Sequence, residues 1–182
     1  MRRHELEHLI RAAGGLTGSD DVVVIGSQAI LGALPGAPGD LLRSIEADMF
    51  TFRDPADADL IDGSIGEGSP FHETFGYYAQ GVWLDTATLP AGWRDRLIAV
   101  CNDNTRGVTG WCLEPHDLAA AKLVAGREKD LEFLQTMVRH QLLDRDTMTQ
   151  RIAGLPAGAG EGADLVSRWQ RLVRREVARE DG

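Results

Sequence analysis

The sequence predicts an α/β protein, α+β in the order of its elements: a small, mixed, twisted sheet with flanking helices and a helical C-terminal part. Three observations carry this prediction. Val22-Val23-Val24-Ile25 is a short apolar run of the kind that forms a fully buried strand, and it ends at Gly26-Ser27. The stretch "RSIEADMFTF", residues 43–52, alternates between polar and apolar, as a half-buried strand does. From about residue 114 onward the apolar spacing is that of helices. The expected division is an α/β core over 1–113 and a helical part over 114–182 packed on it.

The elements follow in order. Leu6, Leu9, Ile10 and Ala13 have helical spacing, so residues 3–13 are a helix that Gly14-Gly15 should end. "DVVVIG" is the buried strand. "SQAILGAL" is a helix that begins at Ser27, a good N-cap residue. "PGAPGD" is a loop before the alternating strand, and "PADADLIDGSIG" is a short helix and turn. "SPFHETFGYYAQGVWL" is irregular at first and becomes a strand from Tyr78 to Leu84. "RDRLIAVCNDNTRGVTGWCLEP", residues 94–115, forms a hairpin about Asn102-Asp103-Asn104. Residues 114–143 read as one long helix with Pro115 in its first turn. A helix over 145–153 and a Gly/Ala-rich linker over 153–164 follow. The last helix has an apolar stripe of Leu165, Val166, Trp169, Leu172, Val173 and Val177.

Composition narrows the function classes. The chain has 182 residues, 43% of them hydrophobic, and a net charge of −9. That charge argues against broad, non-specific binding to nucleic acid, DNA included, or to an anionic membrane. No stretch approaches the roughly 20 apolar residues of a membrane span. The opening "MRRHELEHLIRAAGG" reads as an amphipathic helix and not as a signal peptide, so a cytoplasmic location is expected. Two cysteines, Cys101 and Cys112, are too few for a disulfide framework and read as buried thiols.

On a strand, residues two apart point to one face. Glu46 and Asp48 therefore project together, roughly 6.5–7 Å apart at their Cα atoms, while Ile45, Ala47 and Met49 face the core. Two parallel carboxylates repel each other and call for a cation. Mg²⁺ (or Mn²⁺) is the natural choice, a hard ion held by carboxylates and substrate phosphates. Upstream, Gly26 permits close backbone approach and Ser27 opens a helix, where free N–H groups suit a phosphate. Ser27 reads equally as a plain N-cap. Ser44, two residues before Glu46, either lines a nucleotide pocket or is polar strand surface.

Hydrophobic-Gly-Ser, a gap, then acid-x-acid on a strand resembles the signature of the nucleotidyltransferase superfamily. Here it is Ile25-Gly26-Ser27 and Glu46-Ala47-Asp48, with an 18-residue gap, longer than in compact members, and with Glu where the first acid is usually Asp. The segment "HDLAAAKLVAGREKDLEFL", residues 116–134, resembles the Lys…Arg…Asp motif of AbiEii-like and MenT-like nucleotidyltransferases, toxins of some bacterial toxin–antitoxin pairs. The matching residues are Lys122, Arg127 and Asp130. "SPFHETFGYYAQGV" resembles an uncharacterised bacterial branch of the same group. The resemblance covers about residues 20–135.

It implies Mg²⁺-dependent transfer of an NMP unit from an NTP to a tRNA 3′ end or a protein hydroxyl, with a cognate antitoxin as partner. Glu46 and Asp48 would hold metal, and Asp85, after the "YYAQGVWL" strand, is the candidate third carboxylate or a simple turn residue. Gly26, Ser27, Ser44, Lys122 and Arg127 would bind nucleotide, and Asp130 would orient a partner or help deprotonate an acceptor. The composition supports Lys122 independently: Lys122 and Lys129 are the only lysines among 19 basic residues, and Lys is a compact point charge suited to a triphosphate. The same helical charges also read as ordinary surface pairs.

His72 with Glu73 reads as an acid/base pair or a packed loop histidine, and His116 as structural. Arg168, Arg171, Arg175 and Arg179 make one basic helix face, suited to an RNA backbone or simply solvated. The rival reading is a catalytically inactive nucleotidyltransferase fold used as a binding or regulatory module.

Overall fold

Val22, Val23, Val24 and Ile25 are shielded from solvent because their strand, β1 (Asp21–Ile25), lies at the centre of a five-stranded sheet. The other strands are β2 (Glu46–Phe50), β3 (Tyr78–Gly81), β4 (Ile98–Val100) and β5 (Thr109–Cys112). The sheet order is β3-β2-β1-β5-β4. β1 runs antiparallel to β2 and parallel to β5; β2 and β3 are parallel, and β4 and β5 form the expected antiparallel hairpin. The computed structural model describes residues 1–160 and 164–180. The mixed α/β class is the one the sequence predicts.

The sheet belongs to a first unit, Met1–Thr86 with Arg96–Glu114. Its helices are α1 (Arg3–Thr17), α2 (Ile30–Ala33), α3 (Asp57–Ile65) and α4 (Pro70–Phe75). α1 buries Leu6, Leu9, Ile10 and Ala13, the stripe its spacing predicts. It runs through Gly14-Gly15 and ends at Gly18. Gly14 is there for packing: a Cβ would lie 2.6 Å from Val108 Cγ2. Glu7 on α1 accepts from Asn102 at 2.9 Å and Asn104 at 2.7 Å and pairs with Arg3 at 2.8 Å. Burial alone would raise the Glu7 carboxyl's pKa, but these donors hold it below the usual range.

Several local expectations are corrected. Ser27 does not cap a helix: it is the first residue of a short 3₁₀ turn, Ser27–Ala29, whose cap is Gly26. "SPFHETF" is the helix α4, capped by the Ser69 hydroxyl, which accepts from the His72 N–H. β3 stops at Gly81, and Leu84 sits beyond it in a 3₁₀ turn, Leu84–Thr86. Ile45 lies outside β2 and is 46% exposed, so Ala47 and Met49 alone of that trio enter the core. Cys112 is buried, which pushes its thiol up to about 12, whereas Cys101 is exposed.

The second unit comprises Ala87–Asp95 and the chain from Pro115 onward. It contains α5 (Pro115–Ala125), α6 (Glu128–Arg139), α7 (Arg145–Ala153) and α8 (Leu165–Glu180). Leu118, Leu123, Leu134, Met137, Met148, Trp169 and Leu172 are buried. The long helix expected over 114–143 is two helices. Gly126 at φ +61 and extended Arg127 break it, and the Gly126 N–H closes the last turn of α5 on Lys122 O at 2.9 Å. Arg168 leaves the expected basic face to donate to Leu123 O at 2.9 Å. Arg171, Arg174 and Arg175 are exposed. Linker residues 161–163 and the side chains of Val177 and Arg179 lie outside the described residues.

Candidate active site

The β1–β2 register sets Asp48 opposite Ile25, at the end of β1 that leads into the Gly-Ser turn. Gly26 then takes φ +69 and ψ −171, a conformation essentially reserved for glycine. Any side chain there would overlap the Asp48 carboxylate, since a Cβ would collide with Asp48 Oδ2. Glycine at 26 therefore has two jobs: it turns the chain, and it leaves room for an acid. Glu46 and Asp48 share the less buried face of β2, while Ala47 and Met49 are 1% and 0% exposed on the other.

Glu46 is held at its backbone and at its carboxylate. Its N–H donates to Ser44 Oγ at 3.1 Å, and the Ser44 hydroxyl donates to Glu46 O at 3.1 Å. Ser44 thus braces the entry to β2, and its hydroxyl is engaged there. Tyr78, level with Glu46 on β3, donates its hydroxyl to Glu46 Oε2 at 3.1 Å. Burial first, and the Glu46 carboxylate second, push the Tyr78 phenol up to about 12, so it keeps its proton and acts as a donor.

The neighbouring position level with Asp48 is Gln80, an amide, which donates to Asp62 Oδ1 on α3 at 2.6 Å. Asp85 sits in the exposed turn beyond β3. Among the described residues no three of His, Cys, Asp and Glu converge as a metal-ligand cluster, so Asp85 is not brought to Glu46 and Asp48. His72 packs its ring on Tyr78 with centroids 4.7 Å apart and accepts from the Gly68 N–H at 3.0 Å. It is a packed histidine. His116 Nε2 accepts from the Asp144 N–H at 2.9 Å.

In the second unit, Lys122, Arg127 and Asp130 do come together. Lys122 Nζ donates to Asp130 Oδ1 at 3.0 Å, and Arg127 Nε donates to Oδ2 at 2.6 Å. Asp130 is 0% and Lys122 7% exposed. The Lys122 ammonium also lies 4.6 Å from the centre of the Phe133 ring. On a continuous helix, eight residues would separate Lys122 and Asp130 by about 12 Å along the axis. The break at Gly126 is what allows the contact. Burial alone would raise the Asp130 carboxyl, but hydrogen bonds from Arg127 and Lys122 outweigh it and hold it below the usual range.

Residues 4–175 match a family described as a nucleotidyltransferase of unknown function (DUF6036). The chain belongs to this nucleotidyltransferase family. Comparison with curated proteins and with solved structures gives no match.

One residue of this family member escaped the sequence reading. Gln28, in the turn that follows Gly26, is 0% exposed, and neither its amide oxygen nor its amide nitrogen has a hydrogen-bond partner among the described residues. Leaving such an amide unpaired costs about 1–3 kcal/mol. A polar residue directly before the apolar "AILGAL" was the available signal. The donor set fits a hard cation with a phosphate ligand. Two carboxylates share a face, and glycine leaves one of them room.

Proposed function

We propose that this nucleotidyltransferase-family protein is a Mg²⁺-dependent enzyme that moves an NMP unit from an NTP to an acceptor hydroxyl. The observation that carries the reading is the seating of Asp48 against Gly26, with Glu46 on the same face of β2. Glu46 and Asp48 would hold the metal. Bound Mg²⁺ would supply charge neutralisation at the phosphates and polarise the phosphoryl oxygens.

The rest falls to the chain. The backbone at Gly26-Ser27 offers a phosphate close approach. Gln28 supplies an amide that can both donate to and accept from a bound nucleotide or water. Lys122 and Arg127, nucleotide-binding residues by the family resemblance, belong to the second unit, where Asp130 holds them. Catalysis of this kind is positioning plus charge stabilisation at the α-phosphorus.

The proposal extends to the AbiEii-like and MenT-like group. It places the protein in the cytoplasm, with a tRNA 3′ end or a protein hydroxyl as acceptor and a cognate antitoxin as partner. The alternative is an inactive fold that serves as a binding module. In its favour, Lys122 is already closed on Asp130, and no third acid joins Glu46 and Asp48 among the described residues.

Transfer of α-³²P label separates the two. Wild type and Asp48→Ala are incubated with each labelled NTP, Mg²⁺ and total tRNA, and the products run on a denaturing gel. Label on RNA or protein with wild type alone supports the enzyme and identifies the acceptor. Absence of both label and Mg²⁺-dependent NTP binding leaves the binding module.

A further inference from the structure

Glu46 has one more methylene than Asp48, and so one more torsion to fix before its carboxylate can hold an ion in one place. The sheet supplies the means. Parallel pairing of β2 with β3 sets Tyr78 beside Glu46, and the Tyr78 hydroxyl meets Glu46 Oε2 at 3.1 Å. Tyr78 is itself held. It is 7% exposed, and the His72 ring lies against it at 4.7 Å and 50°. His72 is pinned in turn by the Gly68 N–H at 3.0 Å, at the start of the helix that Ser69 caps. Ser44 secures the Glu46 backbone from the other side. A tyrosine hydroxyl is a neutral donor, so it orients a carboxylate without cancelling its charge. An ionised carboxylate has about four lone-pair sites, and one hydroxyl leaves most of them for a cation.

We propose that Tyr78 is a positioning residue for divalent-cation binding: its hydroxyl clamps the Glu46 carboxylate in the orientation in which Glu46 and Asp48 hold the metal. The inference rests on the metal role proposed above for those two acids. The chain Gly68–His72–Tyr78–Glu46 then links the cap of α4 to the metal ligand. An Asp at position 46 would be a methylene too short for the clamp, so Tyr78 should matter only while position 46 is Glu.

The test uses the full chain and Mn²⁺ as the probe, read by the electron paramagnetic resonance of bound and free ion, with and without a non-hydrolysable ATP analogue. The variants are Tyr78→Phe, Glu46→Asp, the two combined, and Asp48→Ala. Unfolding midpoints in chelator report on the fold. Tyr78→Phe is expected to weaken Mn²⁺ binding about tenfold, the scale of losing a partner of a metal ligand, with the midpoint in chelator close to wild type. In the Glu46→Asp background the same exchange is expected to change Mn²⁺ affinity little.

Equal affinity for wild type and Tyr78→Phe, or an equal loss in both backgrounds, overturns the clamp. Glu46→Asp reaches the same contact from the other side, should Tyr78→Phe fail to fold. Mn²⁺ affinity unchanged from wild type in Glu46→Asp also overturns it. Wild type that binds Mn²⁺ no better than Asp48→Ala overturns the metal reading itself, and the clamp with it.

Discussion

Two groups of charged residues distinguish the two units of this protein. On β2, Glu46 and Asp48 carry the same sign and share a half-buried face. Between α5 and α6, Lys122, Arg127 and Asp130 carry opposite signs and satisfy one another, with Asp130 fully buried. The first is where the cation proposed above would sit. In the second, Coulomb attraction and hydrogen bonds to Asp130 offset the cost of its burial. Burial of charge thus has different meanings in the two places. The like-charged pair in the sheet is where a ligand is proposed. An opposed pair at a helix break explains how the break is held.

That contrast can be broken by mutation. The largest effect is expected at Asp48. Asp48→Ala should lower nucleotide transfer by about a thousandfold or more, near 4 kcal/mol of transition-state stabilisation. It should leave the unfolding midpoint in chelator close to wild type, because the role proposed for Asp48 is to hold the metal. Label transfer and thermal unfolding on one preparation check both halves. A marked loss of stability would make Asp48 a structural residue and erase the distinction.

Asp130→Asn should do the reverse, costing about 3–5 kcal/mol in denaturant unfolding, because it removes the buried negative charge that pairs with Lys122. Its pH dependence sharpens the point. The folded Asp130 carboxyl lies below its usual range. Its contribution is therefore complete above the unfolded value, about 3.9, and is lost as pH falls through the folded one. Unfolding midpoints followed from pH 7 toward pH 2 should fall more steeply for wild type than for Asp130→Asn. Parallel profiles would show that the cluster is not what acid titrates.

Gly26→Ala comes next, at about 1–3 kcal/mol from the forbidden backbone geometry, with displacement of Asp48 on top. It should lose metal-dependent NTP binding at temperatures where it remains folded, measured by titration calorimetry. The smallest effect belongs to Arg127→Ala. Its side chain is 63% exposed, and exposed pairs contribute about 0–1 kcal/mol. Lys122 stays on Asp130. A loss well beyond 1 kcal/mol in denaturant unfolding would make Arg127 a full member of the buried cluster.

Much of this was legible in the chain. An unbroken apolar run such as "VVVI" buries itself on both faces, and the central place of β1 follows. Alternation put Glu46 and Asp48 on one face without reference to any other residue. The limits of the reading lie where distant segments meet. Gly14-Gly15 looked like a helix stop, but Val108, far along the chain, packs against Gly14 and the helix continues. Gly126 lay inside a strong helical pattern, and its left-handed turn was hidden by it. Ser69 two residues before Phe71 was a cap that the irregular look of its segment concealed. Asp85 had the right type of side chain, but β3 ends too early to carry it beside β2.

By itself the sequence determined the class of the fold, the buried strand and the shared face of the two acids. Each depends on periodicity or on the conformational range of one residue, both local properties. Only the tertiary structure decided that Asp48 lies against Gly26, that Tyr78 meets Glu46, that Lys122 pairs with Asp130, and that the Gln28 amide is buried with no partner among the described residues. Those pairings depend on sheet register and on where a helix breaks, which many residues set together through packing, and no single stretch of sequence encodes them.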